Sequence, residues 1–60
     1  MNNVLTSKTL YRVVGDAVSK GVDICIVASD MCEAQRLAKT KVPLLYVTRI
    51  EVIEHIVWAA

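Results

Sequence analysis

Residues 22–47 read VDICIVASDMCEAQRLAKTKVPLLYV, and this stretch decides the predicted fold. Residues 22–28 form a β-branched run with little polar interruption, which is typical of a strand covered on both faces. Residues 31–40 follow as a helix, and residues 42–47 predict a second strand that tolerates Pro43 in its first turn. Because β-α-β connections are right-handed, we expect two parallel strands with the helix crossing one face of the sheet.

The start of the predicted helix is marked by two acidic residues. Asp30 and Glu33 have the D-x-x-E spacing of a capping box, which places the first helical residue at Met31. The apolar face of this helix is narrow and consists mostly of small side chains: Met31, Ala34, Leu37 and Ala38. Small side chains let a helix pack closely on a sheet, so this pattern favours a layered α/β structure.

Another helix is predicted at residues 8–20, before the first strand. Its apolar residues recur at helical spacing along one stripe: Leu10, Val13, Val14, Ala17 and Val18. Lys20 suits the negative end of a helix, and Gly21 suits the left-handed residue that often follows one. Gly15 inside this helix indicates either close packing or a locally weak turn, and the sequence leaves that choice open.

A third helix is predicted after the second strand, because residues 48–51 (TRIE) repeat the capping-box spacing. The apolar residues that it carries span a very wide arc: Ile50, Val52, Ile53, Ile56, Val57 and Trp58. After Arg49 the polar residues are Glu51, Glu54 and His55. The far side of an outer helix in a small monomer should be polar, so we expect part of this helix to be an interface.

The predicted fold class is α/β, a minimal three-helix layer structure with a short parallel sheet of two strands, or of three if residues 3–5 add one. Such a sheet leaves unpaired edges, which a second copy of the chain would cover. We therefore expect a homo-oligomer, most simply a homodimer. The expected interface residues are Ile53, Ile56, Val57 and Trp58. In the alternative arrangement, the third helix packs beneath the first across the sheet.

Size and composition limit the class of protein. The chain has 60 residues, which predicts one small domain over residues 1–60, and 55% are hydrophobic, which excludes a disordered chain. The formal net charge of +1 does not match a protein that holds nucleic acid by charge alone. No apolar run reaches the roughly 18 residues of a membrane span, and the opening residues MNNVLTSK lack a secretory signal pattern. A cytoplasmic location without membrane contact is expected.

Residues that carry chemistry are few in this sequence. Cys25 and Cys32 have neither a zinc nor a redox spacing, and His55 is the one histidine. Neither glycine lies between a predicted strand and its following helix, so phosphate-binding loops are absent. We predict no catalytic residue, no metal and no cofactor. An enzyme would need a site completed across a subunit interface, with Cys32 at a helix start or His55 beside Glu51 as the reactive group.

Three short motifs stand at intervals along the chain: Lys20-Gly21, Ala28-x-Asp30 and Val42-Pro43. With the apolar segments between them, residues 17–30 and 41–47 resemble the central α-β-α-β part of the kink-turn RNA-binding ribosomal protein family. The resemblance implies an α/β/α sandwich that binds RNA, although the Gly-Asn-Glu motif with which that family reads RNA is missing here. On this resemblance, the residues nearest RNA or another anion are Lys20, Ser29, Asp30 and Arg49.

Two functions are consistent with these patterns. We expect first a non-enzymatic interaction protein, an inhibitor or accessory factor, that self-associates and binds another protein through an apolar surface. The alternative is an RNA-binding protein related to the kink-turn-binding family. The two differ in a measurable property, because RNA binding weakens as the salt concentration rises.

Overall fold

The computed structural model describes the backbone of residues 5–59 and the side chains of residues 6–57. Four elements follow one another: β1 (Leu5–Ala17), β2 (Lys20–Ala28), α1 (Met31–Lys41) and β3 (Leu45–Ala59). The strands form one sheet in the order β2-β1-β3, and both neighbouring pairs are antiparallel. Helix α1 packs on one side of the sheet, which we call the helix face. The other side is the open face.

The predicted fold class, a three-helix layer structure with a short parallel sheet, is wrong. The described residues contain one helix and an antiparallel sheet of three strands. β2 and β3 run in the same direction, as their connection through a helix predicts, but they are not neighbours. β1 lies between them and pairs with both, so parallel pairing has no place in this sheet.

The helix predicted at residues 8–20 is also wrong, because this segment is mostly strand β1. β1 is the central strand, and both of its faces carry apolar residues. Tyr11 and Val13 are buried on the helix face, while Leu10 and Val14 are half-buried on the open face. Because apolar side chains lie on both faces, β1 lacks the alternation of apolar and polar residues that marks a strand with one polar face. Its apolar positions therefore matched a helical stripe.

The turn that joins β1 to β2 lacks the usual turn residues. It consists of Val18 and Ser19, whose φ angles are 50° and 66°. Two-residue hairpin turns with positive φ normally contain Asn or Gly, and a β-branched residue such as valine rarely adopts this conformation. The hairpin therefore has no clear turn signal in the amino-acid sequence. Lys20 and Gly21 instead match the pattern of residues at the end of a helix.

Gly15 lies where β3 approaches β1 most closely. A Cβ atom added to Gly15 would lie 2.9 Å from the carbonyl carbon of Tyr46 and 3.0 Å from the Cα atom of Val47. It would lie still closer to the carbonyl oxygen of Tyr46. Only a residue without a side chain fits at this position. Close packing is therefore the reason for this glycine.

Helix α1 begins at Met31, so the predicted start of this helix is confirmed. The Asp30 side chain accepts a hydrogen bond of 2.8 Å from the Glu33 N–H. The Glu33 carboxylate accepts one of 2.9 Å from the Ser29 N–H. The two acidic residues thus satisfy backbone donors that a helix start would otherwise leave unpaired. The helix ends at Lys41, one residue beyond the predicted end.

The small residues of α1 set its distance from the sheet. Ala34 and Ala38 are fully buried against the strands, and Leu37 packs beside them. Beneath them, Val13 at the centre of β1 is fully buried as well. The rest of the buried core consists of Tyr11, Ile26, Ala28 and Leu45. This single layer of contacts is the hydrophobic core of the described residues.

The predicted strand at residues 42–47 begins later than expected. Val42, Pro43 and Leu44 form the turn after α1, and Leu44 adopts a φ angle of 68°. β3 then starts at Leu45. The strand thus begins only after the proline, whose missing N–H would interrupt a strand ladder.

The predicted third helix does not form, because residues 48–58 belong to β3. Seven of the fifteen residues of β3 are β-branched, and such side chains favour strands. The second capping-box pattern is not used as a cap. Instead, the Thr48 hydroxyl donates a hydrogen bond of 3.1 Å to the carbonyl oxygen of Val14 on β1. The hydroxyl therefore fastens β3 to the central strand.

Two β-bulges explain why β3 resembled a helix. Thr48 and Ile53 each lie between two residues that pair with consecutive residues of β1, so neither has a β1 partner of its own. Each bulge shifts the alternation of side chains by one residue. The apolar residues of β3 consequently show no continuous two-residue period along the strand.

Two further expectations concern the start of the chain and membranes. Of the additional strand considered at residues 3–5, Asn3 and Val4 lie outside the described residues, and Leu5 is the first residue of β1. In the part of the chain that the structure describes, no helix is long and apolar enough to cross a membrane.

Candidate functional site

The outer side of β3 is a long strand edge. β1 pairs with one side of β3 from Leu5 to Ala17. Because β3 is the last strand of the sheet, no strand of residues 5–59 lies along its other side. β3 has fifteen residues and β2, at the opposite edge, has nine. The N–H and C=O groups of such an edge are a template for pairing with another strand.

Large apolar side chains are exposed along this strand. Tyr46 is 72% exposed, Val57 60%, Val52 52% and Ile53 48%. Single exposed apolar residues are normal, whereas four along one edge strand are a surface that a second strand could cover. We call these four side chains and the unpaired backbone of β3 the β3 edge.

The β2 edge is less suited to strand pairing. β2 starts with Lys20 and Gly21, and Asp23 follows two positions later. Lysine is a common means of blocking an edge strand, and glycine and aspartate are poor strand formers. Val27 is the one large apolar residue that is exposed among the described residues of β2. The β2 edge is therefore less suited than the β3 edge to pairing with another strand.

Cross-strand pairing assigns the residues of β3 to the two faces of the sheet. Ile50 pairs with the buried Val13, so Ile50 lies on the helix face. Val52 pairs with the buried Tyr11 and lies on the same face. The charged residues of β3 pair with β1 residues that point to the open face. These pairs are Arg49 with Val14, Glu51 with Arg12, and Glu54 with Leu10.

The charges of the open face are arranged as ion pairs. Arg12 binds Asp23 of β2, with its Nε atom donating to Oδ1 at 2.9 Å and its Nη2 atom contacting Oδ2. The hydrogen bonds from Arg12 hold the pKa of Asp23 below its ordinary value. The hydrogen bond and negative charge of Asp23 in turn raise the pKa of Arg12. On β3, the Arg49 Nε atom lies 2.7 Å from the Glu51 Oε1 atom.

The pair of Arg12 and Asp23 predicts a pH dependence of folding. The pKa of Asp23 is lower in the folded chain than in the unfolded one. Its contribution to stability is therefore complete above the unfolded pKa of about 4, and it is lost as the pH falls through the folded pKa. Asp23→Asn should lower the free energy of unfolding at pH 7 and flatten its decline at acid pH. Urea unfolding at a series of pH values measures both effects.

A matched control for this prediction is Asp16→Asn. Asp16 is an exposed aspartate on the neighbouring strand β1, and it pairs with Gly21 in the ladder. We expect this variant to keep the acid dependence of the unchanged chain. If Asp23→Asn and Asp16→Asn give the same curve, the ion pair does not contribute to acid sensitivity.

The predicted interface residues lie on β3 and not on a helix. Ile53 is at the second bulge. Ile56 pairs with Lys8 and Val57 pairs with Ser7, so they point to opposite faces of the sheet. The backbone of Trp58 belongs to β3, and its side chain lies outside the described residues. The one helical face that was expected to unite these residues does not exist, and the strand unites them along an edge.

The residues predicted to contact RNA or an anion are not brought together. Lys20 lies at one end of β2, and Ser29 and Asp30 follow its other end. Arg49 lies on β3, on the far side of β1. Asp30 caps α1, and the Ser29 hydroxyl accepts a hydrogen bond of 3.0 Å from the Lys8 ammonium group.

The potentially reactive residues are dispersed as well. His55 and Thr9 share a side-chain hydrogen bond of 3.0 Å across the β1 and β3 pair. Glu51 points to the open face and His55 to the helix face, so the side-chain pair considered for an enzyme site does not form. Cys25 and Cys32 are both free and exposed. Among the described residues, no group of His, Cys, Asp and Glu side chains is arranged to hold a metal ion.

A shallow, open depression lies on the surface of α1. Its lining is polar or basic: Cys32, Gln35, Arg36, Lys39 and Thr40. A shallow surface of this kind offers no enclosed contact to a small molecule.

Comparisons of the chain with protein-family models, with curated proteins and with solved structures find no match. The geometry of the β3 edge is therefore the basis for a functional proposal.

Proposed function

We propose that this chain is a non-enzymatic interaction protein of the cytoplasm, an inhibitor or accessory factor, that self-associates through the β3 edge and binds another protein. One observation carries the proposal. The β3 edge combines an unpaired strand backbone with four large apolar side chains that are 48–72% exposed. A second strand laid along this edge would pair the backbone groups and cover the side chains.

A second copy of the chain is the occupant that we propose for this edge. Two β3 strands related by a two-fold axis perpendicular to the sheet pair in antiparallel orientation, because such an axis reverses the strand direction. The same axis keeps both open faces on one side. The two sheets then form a single sheet, with one continuous open face that is available to a heterologous protein.

Native mass spectrometry of the purified chain tests self-association. We expect a species of twice the 6.6 kDa mass of one chain. Ile53→Lys places a charge on the β3 edge and should shift the protein to the monomer. Val27→Lys is the matched control, because Val27 and Ile53 are each 48% exposed and lie on opposite edge strands. Val27→Lys should leave the dimer intact.

Two results would contradict the proposal. One is a monomer for the unchanged chain across the micromolar concentration range. The other is equal dissociation of the dimer by Ile53→Lys and by Val27→Lys. Circular dichroism of both variants verifies that any change in mass arises from assembly and not from loss of the fold.

RNA binding is the rival function, and the same sample tests it. Four of the seven Lys and Arg side chains face a carboxylate: Lys8 and Arg36 face Glu33, Arg12 faces Asp23, and Arg49 faces Glu51. A basic side chain that already faces a carboxylate is less available to bind phosphate. An excess of absorbance at 260 nm, or added nucleotide mass, would favour RNA over the protein partner. Affinity that falls with salt and on Lys20→Ala would extend that result.

A further inference from the structure

We infer that two copies of this chain pair in one specific register, with β3 against β3 about a two-fold axis through Glu51. This inference rests on the proposed self-association and adds which residues meet across the interface. It depends on three properties of β3: the positions of its two bulges, the assignment of its residues to faces, and the order of its charges.

The two bulges of β3 lie nearly symmetrically about Glu51. Thr48 precedes Glu51 by three residues, and Ile53 follows it by two. With the axis through Glu51, the segment of one chain that contains Thr48 lies opposite the segment of its partner that contains Ile53. Between the pairs Val47–His55 and Ile50–Val52, each chain then has one extra residue. Beyond those pairs, both strands continue in step.

This register keeps every paired residue opposite a residue of the same face. With the bulge residues left out of the ladder, the contacts between the chains are Ile50 with Val52, Val47 with His55, Tyr46 with Ile56, and Leu45 with Val57. Tyr46, Val52 and Val57, which are exposed in the single chain, each gain an apolar neighbour. Neighbouring side chains on one face of an antiparallel pair are close enough to pack.

The charges are complementary in the same register. Arg49 of each chain lies opposite Glu54 of its partner, on the open face, and symmetry makes this contact twice. Arg49 then lies between its own Glu51 and the Glu54 of the partner. The two Glu51 side chains meet at the axis, where each is flanked by its own Arg49 and by its ladder partner Arg12. The positive charges on both sides thus reduce the repulsion between the two Glu51 carboxylates.

Neighbouring registers fit less well. An axis through Val52 places Glu51 opposite Glu54 of the partner, which gives two contacts between like charges. An axis through Ile50 brings the bulges equally close and sets Arg49 opposite Glu51 of the partner. It leaves the exposed Tyr46 opposite Glu54 and the exposed Val57 beyond the paired residues, so neither gains an apolar neighbour. An axis between two residues sets open-face residues against helix-face residues, which an antiparallel ladder does not allow.

A charge-reversal experiment tests this register. Arg49→Glu alone would place Glu opposite Glu54, and Glu54→Arg alone would place Arg opposite Arg49. Each variant by itself should weaken the dimer on the order of tenfold or more, because two attractive contacts become repulsive. In a 1:1 mixture of the two variants, both contacts become attractive again. Native mass spectrometry should therefore show the heterodimer as the main dimeric species.

The outcomes separate this inference from the proposed function. A monomeric unchanged chain overturns both. If the unchanged chain is dimeric and the Glu54→Arg dimer is as stable as it, the result fits the axis through Ile50. If the Glu54→Arg dimer is more stable, the result fits the axis through Val52. Either result overturns the register alone. A mixture without preference for the heterodimer also overturns the register. Lys39→Glu, on the exposed side of α1, is the control and should dimerise like the unchanged chain.

Discussion

Replacing Gly15 with alanine is expected to destabilise the fold by about 3 kcal/mol or more. The added methyl group would overlap the backbone of Tyr46 and Val47. A rotation of a side chain cannot relieve a clash with backbone atoms, so β3 would have to move away from the central strand. A domain of this size has a total stability of roughly 3–9 kcal/mol. Urea unfolding followed by circular dichroism should show a large fraction of unfolded chain without denaturant.

The chain contains its own control for this experiment. Gly21 also lies in a strand, and a Cβ atom added there meets no atom within 4 Å. Neither glycine has a positive φ angle, so alanine suits the backbone at both positions. Gly21→Ala should therefore leave stability unchanged or raise it slightly. Equal unfolding midpoints for the two variants would show that β3 does not approach Gly15 as described.

Tyr11→Ala is expected to have a comparable effect, a loss of about 3–5 kcal/mol. Tyr11 is 6% exposed and is the largest side chain of the core. Its ladder partners are Ile26 on β2 and Val52 on β3, so its ring lies at the centre of the three strands. Removing the ring leaves a cavity beneath α1 that the neighbouring core side chains can close only in part. The measurement is again the free energy of unfolding in urea.

Tyr11→Phe distinguishes packing from hydrogen bonding in this experiment. Phenylalanine keeps the ring and removes the hydroxyl group. If packing is the main contribution of Tyr11, this variant should lose less than about 1.5 kcal/mol. A loss as large as that of Tyr11→Ala would assign the stability to the hydroxyl group and would contradict the cavity argument.

The elements that were predicted well are those that local chemistry specifies. The start of α1 depends on hydrogen bonds between residues a few positions apart, which Asp30 and Glu33 make visible in the sequence. The strand predicted at residues 22–28 lies within β2. It is buried on one face only, and the expected cover on both faces is wrong, because β2 is an edge strand of a sheet that α1 covers on one face. Each of these signals is complete within a short window of sequence.

The elements that were predicted wrongly depend on distant partners. Tyr11 and Leu10 point to opposite faces of β1. Tyr11 is buried by α1 and the two flanking strands, and Leu10 is half-buried by the flanking strands, so both depend on residues distant in sequence. The two bulges of β3 exist because of its pairing with β1, and they erase its two-residue period. The seven β-branched residues of β3 were the signal that could have identified the strand. The capping-box spacing at residues 48–51 concealed it.

The candidate site was predicted in part. The wide apolar arc after Arg49 indicated the segment that carries most of the β3 edge, because an excess of apolar residues does not depend on the type of secondary structure. The element and the geometry were wrong, since a strand presents a backbone edge where a helix presents a face. Tyr46 was missed as an interface residue because it belonged to the predicted strand at residues 42–47. Val52 was part of the wide apolar arc but was not among the expected interface residues, and the structure exposes it at the strand edge.

The order of the strands also sets the time at which the sheet can form during synthesis. The hairpin of β1 and β2 and the helix precede β3 along the chain, yet β1 pairs with β3 over the whole length from Leu5 to Ala17. Contacts between residues so distant in sequence slow folding. Until β3 has left the ribosome, one side of the central strand stays open, and the nascent hairpin is exposed to chaperones and to other nascent chains.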